Sequence, residues 1–382
     1  MSLVHSCFRR FDVVVAMALA LTVPAAALGP AAHADEQQII FDPPVVQEIE
    51  SNDVSFVLGQ FGGSADLDVV YDDHWGGTHI RLGDGAGNFE WVAAGPEFTR
   101  HRPSLTAADL NGDGRVDIIA TNAGADRMTV HLAKPHSIGF QPAVGYRYPE
   151  AGSVALADLD GDGDLDLALS TRDAVVVLEN DGAGDLSKVA SVNAPNTYRV
   201  LLADIDNNGA PELVIDEVGD RDKVAKGLGG FDFGRGKLIK PLSVERLRPQ
   251  LADLNNDGNL DLAAIDAGSL LRMVVQFGNG DRTFGPPQYV ESESGRYMYF
   301  VEALDLDLDG AVDLISPSGQ GRIHIFSGQG DGTFDALAPI VQDVRSYRIG
   351  DLDGDGAPDL VVAHPYEDQL LSYLNRSTPD PG

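Results

Sequence analysis

Cysteine, basic residues and long apolar segments are all scarce in this chain of 382 residues. The only cysteine is Cys7, so the sequence offers neither an internal disulfide nor a set of thiolates for a zinc site. Lys and Arg number 27 against 59 Asp and Glu, which gives a formal charge of -32. A surface this acidic repels nucleic acid and anionic lipid. We therefore expect no nucleic-acid partner, and hard cations are the natural counter-charge.

Three common catalytic signatures are also missing from the sequence, namely Gly-x-Ser-x-Gly, His-Glu-x-x-His and the phosphate-cradling glycine loop. The histidines are scattered, and no acid and base stand out as a pair. We nominate no catalytic residue, and these absences favour a binding function over an enzymatic one.

One substantial apolar run lies at the N-terminus. Arg9 and Arg10 precede the apolar residues 13–28, and the small-x-small motif of residues 32–34 follows them. This order predicts a cleaved signal peptide over residues 1–34, and therefore a secreted or periplasmic protein. Because the run is too short for a confident membrane span, we expect export without membrane insertion. An exported protein without disulfides commonly gains rigidity from metal sites instead.

A nine-residue pattern recurs along the rest of the chain. Asp, Asn or Glu occupies positions 1, 3, 5 and 9, and Gly occupies position 6. The six copies span residues 109–117, 158–166, 204–212, 253–261, 305–313 and 351–359. A seventh, eroded copy over residues 60–68 keeps Asp66 and Asp68 but loses the first three acids. The ninth positions follow one another at intervals of 49, 49, 46, 49, 52 and 46 residues, and this regularity indicates a repeat fold.

Each repeat has the composition of four short strands. In the third repeat they are predicted at residues 153–157, 165–170, 174–179 and 186–192. Four antiparallel strands in roughly 40–50 residues correspond to one blade of a propeller. The sequence therefore predicts an all-β, seven-bladed β-propeller over residues 35–376, with 43% hydrophobic residues to form its core.

The last repeat supplies only three strands, near residues 347–350, 360–363 and 370–374. An open blade would expose unpaired backbone groups. We predict that residues 35–50, chiefly 38–49, provide its outer strand, and that residues 377–382 form a disordered tail.

The repeated acidic loops, predicted between the first and second strands of their blades, point to calcium. Side-chain oxygens at positions 1, 3, 5 and 9, together with a backbone carbonyl at position 7, can surround one cation, and Gly at position 6 permits the required reversal of the chain. The predicted ligand positions are Asp109, Asn111, Asp113, Arg115, Asp117, Asp158, Asp160, Asp162, Asp164, Asp166, Asp204, Asp206, Asn208, Ala210, Glu212, Asp253, Asn255, Asp257, Asn259, Asp261, Asp305, Asp307, Asp309, Ala311, Asp313, Asp351, Asp353, Asp355, Ala357 and Asp359.

Two alternatives compete with a calcium loop of this kind. An EF-hand needs a bidentate Glu at position 12, which is excluded because that position holds Ala120, Leu169, Ile215, Ala264, Ser316 and Val362. A single loop could instead be a hairpin turn held by side-chain hydrogen bonds. Six copies with three or four carboxylates each would repel strongly without a cation, so we favour calcium.

These loops, with the turns Gly83 to Phe89, Gly278 to Phe284 and Gly328 to Phe334, resemble FG-GAP/VCBS repeats. Such repeats form the propellers of integrin α-subunits and of many exported bacterial proteins, and the resemblance covers residues 54–375. It implies a calcium-binding adhesion module. The Gly-Ala-Pro of the integrin repeats is replaced here by triplets such as residues 120–122, which makes the bacterial relatives nearer and weakens the transfer of integrin partners.

Arg and Tyr gather in the predicted linkers between blades, on the face opposite the acidic loops. We predict a basic and aromatic rim around the mouth of the central channel, which could bind acidic glycans because Arg matches planar anions and Tyr stacks on sugar rings. Ion pairing between blades and packing of Tyr would explain the same residues without a ligand. The candidates are Arg102, Arg147, Arg199, Arg248, Arg296, Tyr297 and Arg348, with Trp75 in a first-blade loop that could serve as a sugar platform or stabilise ring closure.

The sequence thus favours an exported module that binds glycans or surface proteins. An enzyme acting on acidic polysaccharide, of the lyase kind, comes second, because an arginine-rich mouth could neutralise a uronate. A purely structural extracellular module comes third.

Overall fold

The computed structural model describes residues 39–50, 55–73, 77–95, 98, 103–217, 223–234, 237–238, 246–266, 272–291, 297–318, 321–340, 344, 346–364 and 366–377. The predicted signal peptide lies outside these residues. Ser377, which the sequence assigns to a disordered tail, is instead buried and donates a hydrogen bond of 2.6 Å to Asn375.

The described residues form seven antiparallel sheets of four strands, which confirms the predicted seven-bladed propeller. Blades are numbered in chain order from the sheet that begins with β2, and the strands of each blade are given from the innermost to the outermost. Blade 1 contains β2 (Ser55–Gly59), β3 (Asp68–Asp72), β4 (Thr78–Gly83) and β5 (Phe89–Ala94); blade 2 contains β6 (Ser104–Ala108), β7 (Asp117–Asn122), β8 (Arg127–His131) and β9 (Val144–Arg147); blade 3 contains β10 (Val154–Ala157), β11 (Asp166–Ser170), β12 (Ala174–Asn180) and β13 (Leu186–Asn193). Blade 4 contains β14 (Thr197–Ala203), β15 (Glu212–Glu217), β16 (Lys223–Ala225) and β17 (Lys237–Leu238); blade 5 contains β18 (Arg246–Ala252), β19 (Asp261–Asp266), β20 (Arg272–Gln276) and β21 (Gln288–Glu291). Blade 6 contains β22 (Glu302–Leu304), β23 (Asp313–Pro317), β24 (Ile323–Gly328) and β25 (Phe334–Ala336); blade 7 contains β26 (Ser346–Gly350), β27 (Asp359–Ala363), β28 (Gln369–Tyr373) and β1 (Val45–Glu48).

The apolar core is divided among the blade interfaces. The described residues form seven hydrophobic clusters, one between each pair of adjacent blades. Between blades 2 and 3, for example, Ile119 and Met128 pack with Leu167 and Val176. Because both faces of a blade are covered, second strands such as β11 and β27 are buried at every residue. Their near-continuous apolar sequences follow from this two-sided burial.

The ring closes between the two ends of the chain. Strand β1 pairs antiparallel with β28, with Val46 opposite Leu371, and so forms the outer strand of blade 7. It lies within residues 38–49, from which the closing strand is predicted. The backbone of Phe41 adds a further bridge to Asn375.

A polar network joins this seam to blade 1. Glu50, just after β1, accepts a hydrogen bond from the hydroxyl of fully buried Tyr71, and Arg81 Nε donates to the same hydroxyl at 3.0 Å. The ring of His79 stacks on Tyr71 at 4.8 Å, and its Nε2 lies 3.0 Å from Asp73 Oδ2. These contacts favour a role in ring closure for the first-blade loop, whose Trp75 lies outside the described residues.

Helices contribute little to the described residues, where one 3₁₀ turn occurs at Ala123–Ala125. A helix long and apolar enough to span a membrane is not found among them.

Candidate metal loops and the opposite face

The six acidic loops lie on one face of the ring. Each connects the innermost strand of a blade to its second strand, as in blade 3, where the loop runs from the end of β10 to the start of β11. The ninth residue of each loop is the first residue of the second strand. The repeat therefore places one acidic loop at the same edge of every blade from 2 to 7.

The first acid of each loop accepts hydrogen bonds from backbone N–H groups later in the same loop. In blade 2, Asp109 accepts the backbone N–H of Asp113 at 3.2 Å and that of Gly114 at 2.8 Å. Gly114 has a φ of 79°, and the glycines at the same position of the other five loops have φ between 86° and 96°. This left-handed backbone suits glycine, and it turns the later acids back toward the first.

Four loops bring three carboxylates close enough to share one cation. In each, one oxygen from every acid lies within 4.8 Å of the others. The groups are Asp158 with Asp160 and Asp166, Asp204 with Asp206 and Glu212, Asp305 with Asp307 and Asp313, and Asp351 with Asp353 and Asp355. The loops of blades 2 and 5 carry Asn111 and Asn255 at the third position, so these loops have an uncharged oxygen where the others have a carboxylate. An all-oxygen donor set dense in carboxylates fits calcium.

The side chain at position 7 has a different task from the carboxylates. Arg115 extends away from its own loop and donates to the carbonyl of Phe61 in blade 1 at 3.2 Å. Asp164 lies against Gly182 in the turn between β12 and β13, where a Cβ would approach its carboxylate to 2.3 Å. This position can therefore offer a backbone carbonyl to a cation whatever its side chain is.

The ninth acid also holds the backbone together, a role that was not predicted from the sequence. In blade 6, Asp313 is fully buried and accepts the N–H of Leu306, in the loop, at 2.7 Å and the N–H of Gly328, at the end of β24, at 2.8 Å. The same pair of contacts, one from the loop and one from the last residue of the third strand or two residues beyond it, is made by Asp68, Asp117, Asp166, Asp261 and Asp359. Asp68 keeps this arrangement although its loop has lost the acids at positions 1, 3 and 5, so the contact does not depend on a complete set of acids.

Burial makes several ninth acids resist ionisation. Desolvation raises the pKa of Asp117, Asp261 and Asp359 to about 6 and that of Asp313 to about 7, with smaller contributions from neighbouring carboxylates. In blade 6, burial and the adjacent acids also raise the pKa of Asp307 to about 6. A bound cation would favour the ionised form of each group, so protons and cations compete for these loops.

This competition predicts that a lower pH stabilises the calcium-free fold and reduces the stabilisation that calcium adds. The pKa of Asp in an unfolded chain is about 3.9, so a folded-state pKa of 6–7 means that protonation stabilises the fold. That stabilisation is present at low pH and is lost as the pH rises through 6 to 7. When the pH is lowered from 7.5 to 5.5, we expect the melting temperature in a chelator to rise. The increase in melting temperature that calcium produces should become smaller over the same range. Differential scanning fluorimetry at both pH values measures these temperatures. A protein that melts at a lower temperature at pH 5.5 than at pH 7.5 in the chelator would contradict the prediction.

Some, but not all, of the Arg and Tyr residues predicted to form the rim lie on the face opposite the acidic loops. Arg199 lies on the innermost strand of blade 4 and donates to the carbonyl of Pro249 in blade 5 at 3.3 Å. Its neighbour Tyr198 is 43% exposed, and Tyr297, which precedes the innermost strand of blade 6, is 59% exposed. Trp75, Arg102, Arg296 and the side chain of Arg248 lie outside the described residues.

Two of the predicted rim residues are placed differently. Arg147 ends β9, the outermost strand of blade 2, so it is far from the innermost strands that line the channel. Arg348 is on an innermost strand but is buried, with its guanidinium 5.1 Å from the ring of Phe56 and NH1 donating to the carbonyl of Tyr347 at 2.8 Å. Burial lowers the pKa of Arg348 to about 10. It is a packing residue between blades 7 and 1, and not part of an exposed rim.

Comparison with known proteins agrees with the repeat and the fold. Residues 147–215, 253–316 and 305–362 match the FG-GAP-like repeat. No curated protein sequence matches the chain.

Solved structures share the architecture at low sequence identity. A BP39L lectin from Burkholderia pseudomallei is 13% identical, with a TM-score of 0.66 over 87% of this chain and 98% of the lectin. BBS1N, solved in complex with ARL6DN, is 8% identical, with a TM-score of 0.62 over 89% and 98% of the two chains. An Agrocybe aegerita lectin described as recognising non-reducing terminal N-acetylglucosamine is 19% identical, with a TM-score of 0.56 over 77% and 81%.

Proposed function

Because the chain is an FG-GAP repeat protein folded as a seven-bladed propeller, we propose that it is an exported calcium-binding module whose face opposite the calcium loops binds glycans. The clustering of three carboxylates within 4.8 Å in four loops of one face carries the calcium part of this proposal. The apolar run of residues 13–28 supports export.

The acids at positions 1, 3, 5 and 9 would hold the ions, together with the carbonyl at position 7. Calcium would supply positive charge that neutralises each cluster and fixes the loop. The shape of each loop is already set by the chain itself, through the backbone hydrogen bonds of the first acid and the left-handed backbone of the glycine at position 6. A rigid ring would then present the opposite face in one fixed geometry, which lowers the entropy cost of binding.

Two exposed Tyr side chains and the half-buried Arg199 support a glycan ligand. Tyr198 and Tyr297 stand on the face opposite the calcium loops with about half of their surface exposed. Arg199 lies beside Tyr198 on the same strand. Aromatic rings and a guanidinium on the same face of the ring suit sugars that carry a carboxylate or sulfate. The two lectins among the structural neighbours support a glycan ligand for a chain of this fold.

Glycan binding is tested with an array of acidic and neutral glycans, probed with the protein in calcium. We expect retention on acidic glycans, weakened about thirtyfold or more in a Tyr297→Ala, Arg199→Ala double variant, since a stacking contact and a charged hydrogen bond each contribute about 1 kcal/mol or more. Lys188→Ala is a matched control, because Lys188 is exposed on the outermost strand of blade 3.

Absence of retention on any glycan, or equal retention by the double variant, would refute the glycan site. New ultraviolet absorbance from unsaturated sugars during incubation with acidic polysaccharide would show instead that the protein is a lyase.

A further inference from the structure

Basic side chains of the chain itself lie against two of the four carboxylate clusters. In blade 7, Arg376 NH1 lies 2.5 Å from Asp353 Oδ2 and 3.4 Å from Asp355 Oδ2. Both acids belong to the cluster that could hold an ion. Arg376 also pairs with Asp42, just before β1, at 2.8 Å.

In blade 4, two basic side chains lie beside one acid of the carboxylate cluster. Arg282 Nε lies 3.0 Å and Lys226 Nζ 3.8 Å from the same oxygen, Asp206 Oδ2. Lys226 follows the third strand of blade 4, whereas Arg282 reaches over from the turn between β20 and β21 of blade 5. Asp206 is also the central acid of its cluster in sequence, between Asp204 and Glu212.

Blade 3 offers the contrast. Its loop has five acids, Asp158, Asp160, Asp162, Asp164 and Asp166. Among the described residues, no Lys or Arg forms an ion pair with any of them. The local charge is therefore most negative in blade 3, intermediate in blade 7, with four acids and one shared Arg, and least negative in blade 4, with three acids and two basic side chains.

Calcium affinity rises with the number of charged ligands that remain available. A guanidinium or ammonium on a ligand oxygen must be displaced or tolerated when a cation binds, and its charge repels the ion. We propose that Arg282 with Lys226, and Arg376, weaken calcium binding in blades 4 and 7, so that this propeller has graded calcium sites with blade 3 tightest and blade 4 weakest. This inference rests on the proposed calcium binding and adds the residues that set the affinity of each loop.

The test is placed on blade 4, because Arg376 also holds Asp42 near the closing strand and its loss could loosen the ring. The full chain is stripped of metal, and the number of calcium ions bound per chain is counted by native mass spectrometry at a series of buffered free calcium concentrations. Wild type is compared with an Arg282→Gln, Lys226→Gln double variant and with Asp160→Asn. A Lys188→Gln, Arg322→Gln double variant removes the same charge from an outer strand of blade 3 and from the β23–β24 hairpin on the opposite face.

We expect the double variant of blade 4 to tighten the weakest ion by about tenfold, the size of one partly screened charge contact. Asp160→Asn should remove or weaken the first ion to bind, and the charge-matched control should follow the wild-type curve. A blade 4 variant that follows the wild-type curve, or a control that shifts as far as the blade 4 variant, overturns the inference. Absence of bound calcium in every protein would instead refute the proposed calcium binding itself.

Discussion

Chelation of calcium is expected to lower the melting temperature of this protein by more than about 10 °C. An ion that binds only the folded chain stabilises it by about 2.7 kcal/mol at a hundredfold excess over its Kd. In large domains, about 1 kcal/mol moves the melting temperature by roughly 2–4 °C. The four carboxylate clusters lie in separate blades, so their contributions accumulate around the ring. Calorimetry in millimolar calcium and in excess chelator measures the difference.

Magnesium at the same concentration is the matched control for this experiment. It requires near-ideal octahedral geometry and keeps several waters, so it should restore only a small part of the lost stability. Equal melting temperatures in calcium and in chelator would show that the loops do not bind calcium or that the ions add nothing to stability. Full restoration by magnesium would show that the loops do not select calcium.

The fold could be predicted because its signals are local and repeated. The interval between ninth acids gave the number of blades, and the strands predicted in the third repeat differ from β10 to β13 by at most one residue at either end. The two-sided burial of each blade produces apolar runs that are easy to recognise in the second strands. The acidic loops were equally readable, since the spacing that positions their oxygens is contained within nine residues.

Residues on the opposite face were harder to place because their depth depends on strand register. Arg199 pairs with Asp216, four residues before the innermost strand ends at Ala203, so it lies near the mouth of the channel. Arg348 pairs with Val361, two residues before its strand ends at Gly350, and is buried between blades. A shift of two residues along the strand thus separates a half-buried position near the channel mouth from a fully packed one, and the sequence of the linkers does not reveal this difference.

Contacts between blades could not be read from the sequence at all. Arg282 reaches Asp206 across 76 positions of the chain, and Arg376 joins Asp42 only because the ring closes. The role of the ninth acid did have a signal in the sequence. The eroded first repeat keeps Asp68 after losing the acids at positions 1, 3 and 5, and a residue needed only as a metal ligand would have no reason to persist in such a loop.

Removal of that carboxylate in blade 1 should destabilise the protein whether or not calcium is present. Asp68 is fully buried and accepts three backbone N–H groups, from Phe61 at 2.7 Å, Gly62 at 2.6 Å and Gly83 at 2.9 Å. Asp68→Asn keeps the shape of the side chain but turns one acceptor into a donor, which would face an N–H. Hydrogen bonds to a charged group contribute about 1.5–3 kcal/mol, and a buried donor left unpaired costs about 1–3 kcal/mol. We expect a loss of about 2–4 kcal/mol in the free energy of unfolding, measured by urea titration.

The comparison that isolates this backbone role uses two further variants. Glu90→Gln removes the same charge from an exposed position on β5 and should change the free energy of unfolding by less than about 0.5 kcal/mol. Asp160→Asn alters a member of the carboxylate cluster of blade 3, so under the proposed calcium binding its effect should appear in calcium and largely vanish in chelator. If Asp68→Asn behaved like Asp160→Asn, with a loss confined to calcium, the ninth acid would act as a metal ligand even in blade 1. A loss of the same size in both solutions would show that one buried carboxylate per blade ties the loop to the third strand, and that calcium adds to a scaffold already held by the backbone.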